Sequence, residues 1–224
     1  MERSASDHAY RWTRERILDA TFGPSDIISE REVAERVGLS RTPVREAFLR
    51  LEGEGFLRLY PKRGAVVVPV TESDVRDVLQ ARLVIEPWAA SEAARRHDRG
   101  ALADRLSQHV DALVDARRGR DAAGYQEADR AFHLAIVEAT DNRLLTDFYR
   151  SLRDRQLRVG AVALAASEGR AATIVEEHRA ISSAITAGRP EDAADAVGAH
   201  IRSTALAVRL APLAGSSPWC LDTT

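Results

Sequence analysis

Residues 29–64 read SEREVAERVGLSRTPVREAFLRLEGEGFLRLYPKRG, and this stretch decides the fold of the first part of the chain. It opens with the Ser-x-x-Glu spacing of a capping box, in which the side chains of Ser29 and Glu32 each satisfy a free backbone donor at a helix start. Gly38 ends this helix, since glycine adopts the left-handed conformation at low cost. The spacing therefore predicts a short amphipathic helix that stops at a tight turn.

A second helix follows the turn and carries side chains suited to reading DNA. It begins at Ser40 or Thr42, and its apolar residues keep the i, i+3, i+4, i+7 spacing of one buried stripe. Arg41 and Arg45 are four apart, so they share the opposite, exposed face. An arginine pair at a helix start suits bidentate contacts to guanine in a major groove, and Thr42 can bond a phosphate. We therefore predict a helix-turn-helix that binds double-stranded DNA.

The residues after the second helix predict a β-hairpin with a basic tip. Residues 56–60 alternate apolar and basic side chains, residues 61–64 form a turn, and residues 65–68 are rich in valine. Such a wing can reach a phosphate or the adjacent minor groove. The predicted DNA contacts lie on both helices and the wing: Arg31, Ser40, Arg41, Thr42, Arg45, Lys62, Arg63 and Gly64.

The composition of the whole chain limits the classes of protein it can be. Its 224 residues allow one large domain or two small ones, and its formal net charge of −2 means that any contact with DNA is local. No apolar run is long enough to span a bilayer, and the N-terminus lacks the apolar core of a signal peptide. A single cysteine excludes an intrachain disulfide. We expect a cytoplasmic protein with no membrane partner.

The rest of the chain predicts helices only, so the expected fold class is mainly α. Residues 1–9 lack periodicity and are predicted to be a mobile arm, followed by a first helix at 10–20. Later helices are predicted at about 74–97, 101–118, 121–140, 143–158, 168–187 and 190–210. The predicted domains are a winged helix-turn-helix at 1–70, an all-helical domain at 71–211, and an irregular tail at 212–224, and the family resemblance described below implies that the helical domain binds an effector and dimerises.

Four ionisable residues fall within or beside the apolar stripes of three of these helices. His178 and His200 take stripe positions, while Asp129 and His133 flank the stripe of a third helix. A buried polar group is destabilising unless it has a partner, and one divalent metal ion would serve all four. One carboxylate and three imidazoles suit zinc, with nickel, manganese or iron as alternatives. The other interpretation is that the histidines bond each other or the aspartate without metal.

Arg82 interrupts the apolar stripe of another predicted helix. An arginine at such a position can bind the carboxylate of an effector bidentately near the metal. The alternative is a salt bridge to Glu86, four residues further on.

Two parts of the sequence resemble known domains. Residues 29–57 are similar to the winged helix-turn-helix of the GntR family of bacterial transcription regulators. The segments EADRAFHLAIVEATDNRLL, EEHRAISSAI and GAHI resemble the helical ligand-binding domain of its FadR-type subfamily, often called FCD. This resemblance implies small organic acids or sugar-derived acids as effectors, and repression more often than activation. It also implies that the metal ligands are Asp129, His133, His178 and His200.

We therefore expect a ligand-responsive regulator without enzymatic activity. A homodimer would present two recognition helices to a pseudo-palindromic operator, and a carboxylate at the metal and Arg82 would bias the helical domain. One alternative is a metal-dependent hydrolase, against which the sequence offers no inward acid beside the site as a general base. Another is a DNA-binding protein whose helical domain only dimerises.

Overall fold

The computed structural model describes residues 4–61, 63–165 and 169–208, which divide between Val70 and Thr71 into two compact units. The first unit contains α1 (Ala5–Leu18), β1 (Ile27–Ile28), α2 (Glu30–Val37), α3 (Arg41–Gly53), β2 (Leu57–Tyr60) and β3 (Gly64–Val67). The described part of the second contains α4 (Glu72–Arg95), α5 (Gly100–Gly119), α6 (Ala122–Glu138), α7 (Arg143–Ser151), α8 (Arg153–Ala165), α9 (Arg170–Thr186) and α10 (Pro190–Ala207). This arrangement confirms the predicted mainly α fold, with a winged helix-turn-helix followed by a helical bundle.

Some predictions fall on residues outside the described ranges. They concern residues 1–3 of the predicted arm, the wing residue Lys62, residue 168 at the start of a predicted helix, the end of the last predicted helix and of its domain at 209–211, and the tail at 212–224. Within the described residues, 4–61, 63–165 and 169–208, no helix is both long enough and apolar enough to cross a membrane.

The first unit is built around the apolar stripe of α3. All four predicted stripe residues are buried: Val44, Ala47, Phe48 and Leu51. The prediction of an arm is wrong for residues 4–9, because Ser4 caps α1 by accepting a hydrogen bond from the backbone N–H of Asp7. Tyr10 then ties α1 to the end of α3, since its hydroxyl donates to Glu54 Oε2 at 2.6 Å. The helix also ends earlier than predicted, at Leu18.

The wing belongs to a three-stranded sheet in the order β1-β3-β2. Strand β1 was not predicted, because two residues are too short to show any alternation. It pairs antiparallel with β3, with Ile28 opposite Ala65. Gly64 begins β3 with φ of +93°, and a Cβ at this position would lie 2.5 Å from the carbonyl oxygen of Ile28. Glycine is therefore required here by the backbone, whatever its contact with DNA.

The second unit is a bundle in which α6 contacts α4, α5, α7 and α8, and α10 packs along α4 and α9. Its first helix begins with a complete capping box between Thr71 and Asp74. The helix predicted at 143–158 is wrong: it is two helices that break at Leu152. The backbone N–H of Leu152 bonds the carbonyl of Tyr149, three residues back, and this tight turn redirects the chain.

We predict that Gly64→Ala lowers the free energy of unfolding of the first unit by about 1–3 kcal/mol, the range for a non-glycine residue held in a sparsely populated backbone region. Hydrogen–deuterium exchange of peptides that span β2 and β3 measures this as faster exchange. Gly53→Ala is the matched control, because Gly53 lies in α3 and a Cβ there meets nothing within 4 Å. Equal exchange in the two variants would contradict the backbone requirement at Gly64.

Candidate metal centre and nucleic-acid interface

The bundle brings together the four residues that the sequence singled out as metal ligands. Asp129 and His133 lie on α6, His178 on α9 and His200 on α10. One ligand atom from each lies within 4.8 Å of the ligand atoms of the other three. The three imidazole rings are mutually equidistant, with centroids 4.9 Å apart in every pair. All three histidines are buried, so the cluster lies inside the bundle.

The hydrogen bonds behind the rings fix which nitrogen faces the cluster. Nδ1 of His178 lies 2.8 Å from the carbonyl oxygen of Ile174, which can only accept, so Nδ1 carries the proton. Nδ1 of His200 lies 2.8 Å from Oε2 of Glu177 and donates to it for the same reason. In a neutral ring this leaves the Nε2 lone pair free. Metal-binding histidines characteristically have their other nitrogen held in this way.

Two of the imidazole Nε2 atoms in the cluster make no hydrogen bond to the described residues, and this bears on whether a metal ion fits the site. Nε2 of His133 and Nε2 of His178 are buried and make no hydrogen bond within the described part of the chain. Nε2 of His178 lies 3.3 Å from Oδ1 of Asp129, the carboxylate of the cluster. Buried lone pairs without donors are unfavourable, and a divalent cation would satisfy them together. The donor set of three imidazoles and one carboxylate fits zinc and related ions.

Two carboxylates, the buried Glu86 and the partly buried Glu177, each lie between an arginine and one of the histidines. Glu86 accepts from Nε of Arg82 at 2.6 Å and lies 2.9 Å from Nδ1 of His133. Glu177 accepts from Nη1 of Arg170 at 3.1 Å, in addition to its bond with His200. The result is two chains of contacts, Arg82–Glu86–His133 and Arg170–Glu177–His200. Nδ1 of His200 is hydrogen-bonded to its carboxylate, whereas Nδ1 of His133 lies close to Glu86 without forming a hydrogen bond.

The pKa values follow from burial and from these pairs. Burial lowers the pKa of His200 to about 3 and also lowers that of His133, so both rings are neutral near neutral pH. Burial alone would raise the pKa of Glu177, but its bond with His200 lowers it to about 2. In the same way, the charge of Arg82 holds the pKa of Glu86 well below its usual range. Neutral imidazoles and ionised carboxylates are the states that bind divalent metal ions.

A cavity of about 20 Å³ adjoins the cluster. Arg82, Asp129 and His200 contribute to its lining, together with Gln126 and three residues of α8: Val159, Gly160 and Ala163. A space of this size holds about one water molecule. A wider groove of about 470 Å³ lies elsewhere, between α5 and α9, and contains none of the four clustered residues.

Arg82 forms the salt bridge that one of the two interpretations of the sequence predicted. It is buried and pairs with Glu86 through Nε and Nη2, as the salt-bridge alternative predicted. It also lines the cavity beside Asp129. Its remaining nitrogen, Nη1, makes no hydrogen bond among the residues that the structure describes, and is available to a ligand.

Two acids beside the histidines were not singled out from the sequence as part of the site. Glu86 is buried and Glu177 is largely so, but both lie behind histidines rather than on the open side of the cluster. Glu177 and Arg170 are seven residues apart on α9, a spacing that could have indicated their shared face. Gln126 was also missed, although it precedes Asp129 by three residues and so shares its face of α6.

The predicted DNA-reading residues at the start of α3 are exposed. Arg41 bonds Oε2 of Glu30 through Nη2 at 3.1 Å. Arg45 makes no ion pair within the described ranges, so its guanidinium is available. Ser40 occupies the N-cap position of α3 without a side-chain capping bond, which leaves its hydroxyl free as well.

The other predicted DNA contacts lie on α2 and in the wing turn. Arg31 is exposed on α2, where its Nε lies 3.5 Å from Oε1 of Glu35. Arg63 is exposed at the turn that leads into Gly64. The described residues thus offer basic side chains from α2, the start of α3 and the wing.

Comparisons with known proteins match both units. Residues 77–203 match the FCD domain model, and residues 5–67 match the model described as bacterial regulatory proteins, gntR family. The chain is 31% identical over 131 residues (58% of this chain, 77% of the relative) to an uncharacterized HTH-type transcriptional regulator from the TAR-I ttuE-ttuC' intergenic region of Agrobacterium vitis. It is 30% identical over 144 residues (64% and 63%) to the HTH-type transcriptional repressor RspR of Escherichia coli. The structure of E. coli McbR/YncC has a TM-score of 0.71 at 19% identity, covering 92% of this chain and 98% of that chain, and shares the fold.

We predict that Glu86→Gln lowers the free energy of unfolding of the metal-free helical unit by about 3 kcal/mol, because it leaves the buried charge of Arg82 without its counter-ion. Urea denaturation followed by circular dichroism measures the change. Glu92→Gln is the control, since Glu92 lies on the same helix with its side chain 42% exposed, and we expect a change within about 0.5 kcal/mol there. Similar effects of the two substitutions would refute the importance of the buried pair.

Proposed function

Because the chain belongs to the GntR family of bacterial transcription regulators and carries an FCD domain, we propose that a small carboxylate, bound through a divalent metal ion, controls its binding to DNA. GntR regulators bind DNA through the first domain and effectors through the second. The finer parts of the proposal concern which residues hold the metal, the effector and the operator.

The metal site carries the proposal. Asp129, His133, His178 and His200 would hold the ion, and the observation that supports this is the convergence of their ligand atoms with unpartnered Nε2 atoms. Zinc suits this donor set, and nickel, manganese and iron share its preference for imidazole. An ion held by these residues would supply a Lewis acid that attracts the carboxylate of a ligand.

The effector site is the cavity beside the cluster. Arg82 places a permanent cation at its wall, with Nη1 free to bond a carboxylate while Nε and Nη2 keep Glu86. A small organic acid or sugar-derived acid is the class of ligand that such a wall selects. Since Glu86 also accepts from the hydroxyl of Tyr149 at 2.6 Å, a carboxylate at Arg82 acts on a network that reaches α7.

The DNA-binding site lies on α2, α3 and the wing. In a homodimer, two copies of α3 would enter successive major grooves of a pseudo-palindromic operator. Arg41, Thr42 and Arg45 would contact bases and phosphates, with further contacts from Arg31, Ser40, Lys62, Arg63 and Gly64. Repression is the proposed output, and one similar protein, RspR, is named a repressor.

We predict that Glu177→Gln weakens zinc binding about 10- to 100-fold, the usual effect of removing a carboxylate that orients a ligating histidine. Competition with a chromophoric chelator measures the affinity, and purified wild-type protein should hold one divalent ion per chain. Glu176→Gln is the matched control, because the neighbouring Glu176 is 70% exposed and pairs with Arg179. Absence of a stoichiometric ion in wild type, purified without chelators, would favour a helical domain that only dimerises.

We predict that Arg45→Ala weakens binding to a duplex selected by the protein from a random pool, by about 1–3 kcal/mol if Arg45 reads a base. Fluorescence anisotropy at fixed salt measures the affinity. Arg36→Ala removes the same charge from the end of α2, where Arg36 pairs with Glu32, and should change affinity far less. Equal effects of the two substitutions would show that Arg45 contributes charge alone and reads no base.

A further inference from the structure

We propose that Gln126 determines effector specificity by bonding a hydroxyl on the carbon next to the carboxylate, so that the site prefers short 2-hydroxy acids to plain carboxylic acids. This inference rests on the proposed effector site. The observations that carry it are the position of Gln126, the absence of partners for its carboxamide, and the close approach of α8.

Gln126 lies on the wall of the same cavity as the cluster and Arg82. It is on α6, three residues before Asp129 and seven before His133, so the three side chains share one helix face. Only 4% of its surface is exposed. The cavity between Gln126, Asp129 and Arg82 holds about one water molecule, so two polar groups that reach both Gln126 and the cluster must be close together in a ligand.

The carboxamide of Gln126 is available to a ligand. It makes no hydrogen bond within the part of the chain that the structure describes. The neighbouring hydroxyls are engaged, because Tyr125 donates to the carbonyl of Ala171 at 2.8 Å and Thr204 donates to that of His200 at 3.1 Å. Gln126 therefore offers the cavity a free donor and a free acceptor, which a hydroxyl can use together.

Helix α8 has a glycine at the position that faces this carboxamide. A Cβ at Gly160 would overlap Oε1 of Gln126, so any larger residue would displace the amide from its place. The residues of α8 on either side, Val159 and Ala163, add an apolar wall together with Ile174 of α9. The cavity thus combines a cationic end, a carboxamide and a short apolar side. These groups complement the carboxylate, the hydroxyl and the short carbon chain of a 2-hydroxy acid.

Isothermal titration calorimetry of the zinc-loaded full chain with lactate and propionate tests the proposal, because these acids differ by one hydroxyl. We expect wild type to bind lactate about tenfold more tightly, since one good hydrogen bond is worth roughly that factor. Gln126→Leu should bring the ratio to about one with propionate affinity and zinc content unchanged. Gly160→Ala should reduce the ratio in the same direction, and Gln108→Leu, at an exposed position on α5, should preserve it.

The outcomes separate this inference from the function on which it rests. Binding of neither acid by zinc-loaded wild type would count against the carboxylate site itself. Binding of both acids with equal affinity by wild type, or a preference for lactate retained in Gln126→Leu, would overturn the role of Gln126 and leave the carboxylate site standing. Loss of zinc from Gln126→Leu would show that this residue supports the metal centre, which would also overturn the assignment.

Discussion

The helical unit depends on the buried carboxylate of Glu86, which holds together groups from three helices. Arg82 of α4 and the hydroxyl of Tyr149 on α7 both donate to it, and Nδ1 of His133 on α6 lies beside it. A charge in this position is stable only with all its partners present, because the interior offers no water to replace them. The geometry of the cluster is therefore fixed by the outer contacts as much as by the four ligands.

Glu177 forms a similar arrangement with a second histidine of the cluster. It joins Arg170 to His200, and Arg170 in turn donates to the hydroxyl of Thr204 on α10 at 2.8 Å. The bond with Glu177 fixes the proton of His200 on Nδ1 and so leaves its Nε2 lone pair available before any ion is bound. Such preorganisation reduces the reorganisation needed on metal binding and discriminates by geometry rather than by charge alone.

Local sequence patterns predicted the features that depend on neighbours along one helix. The buried stripe of α3, the cap at Thr71 and the inward placement of His178 and His200 all follow from spacing and are present in the structure. Strand β1 was missed because its two residues pair only with a distant strand. The bond between His200 and Glu177 spans 23 residues, and the choice between partners for Arg82 depends on packing between helices. Neither is encoded in the periodicity of a single helix.

The small volume of the cavity has a consequence for the timing of the response. A space of about 20 Å³ holds about one water molecule, so under the proposed function the side chains of the cavity wall must move as a larger acid such as lactate binds. Under the proposed function, the association rate is then set by how often the bundle opens, and not by diffusion of the acid. The apparent affinity is reduced by the fraction of time spent closed. Once the bundle has closed over a ligand, escape needs the same opening, so the regulator would respond slowly to a fall in effector concentration and ignore brief fluctuations.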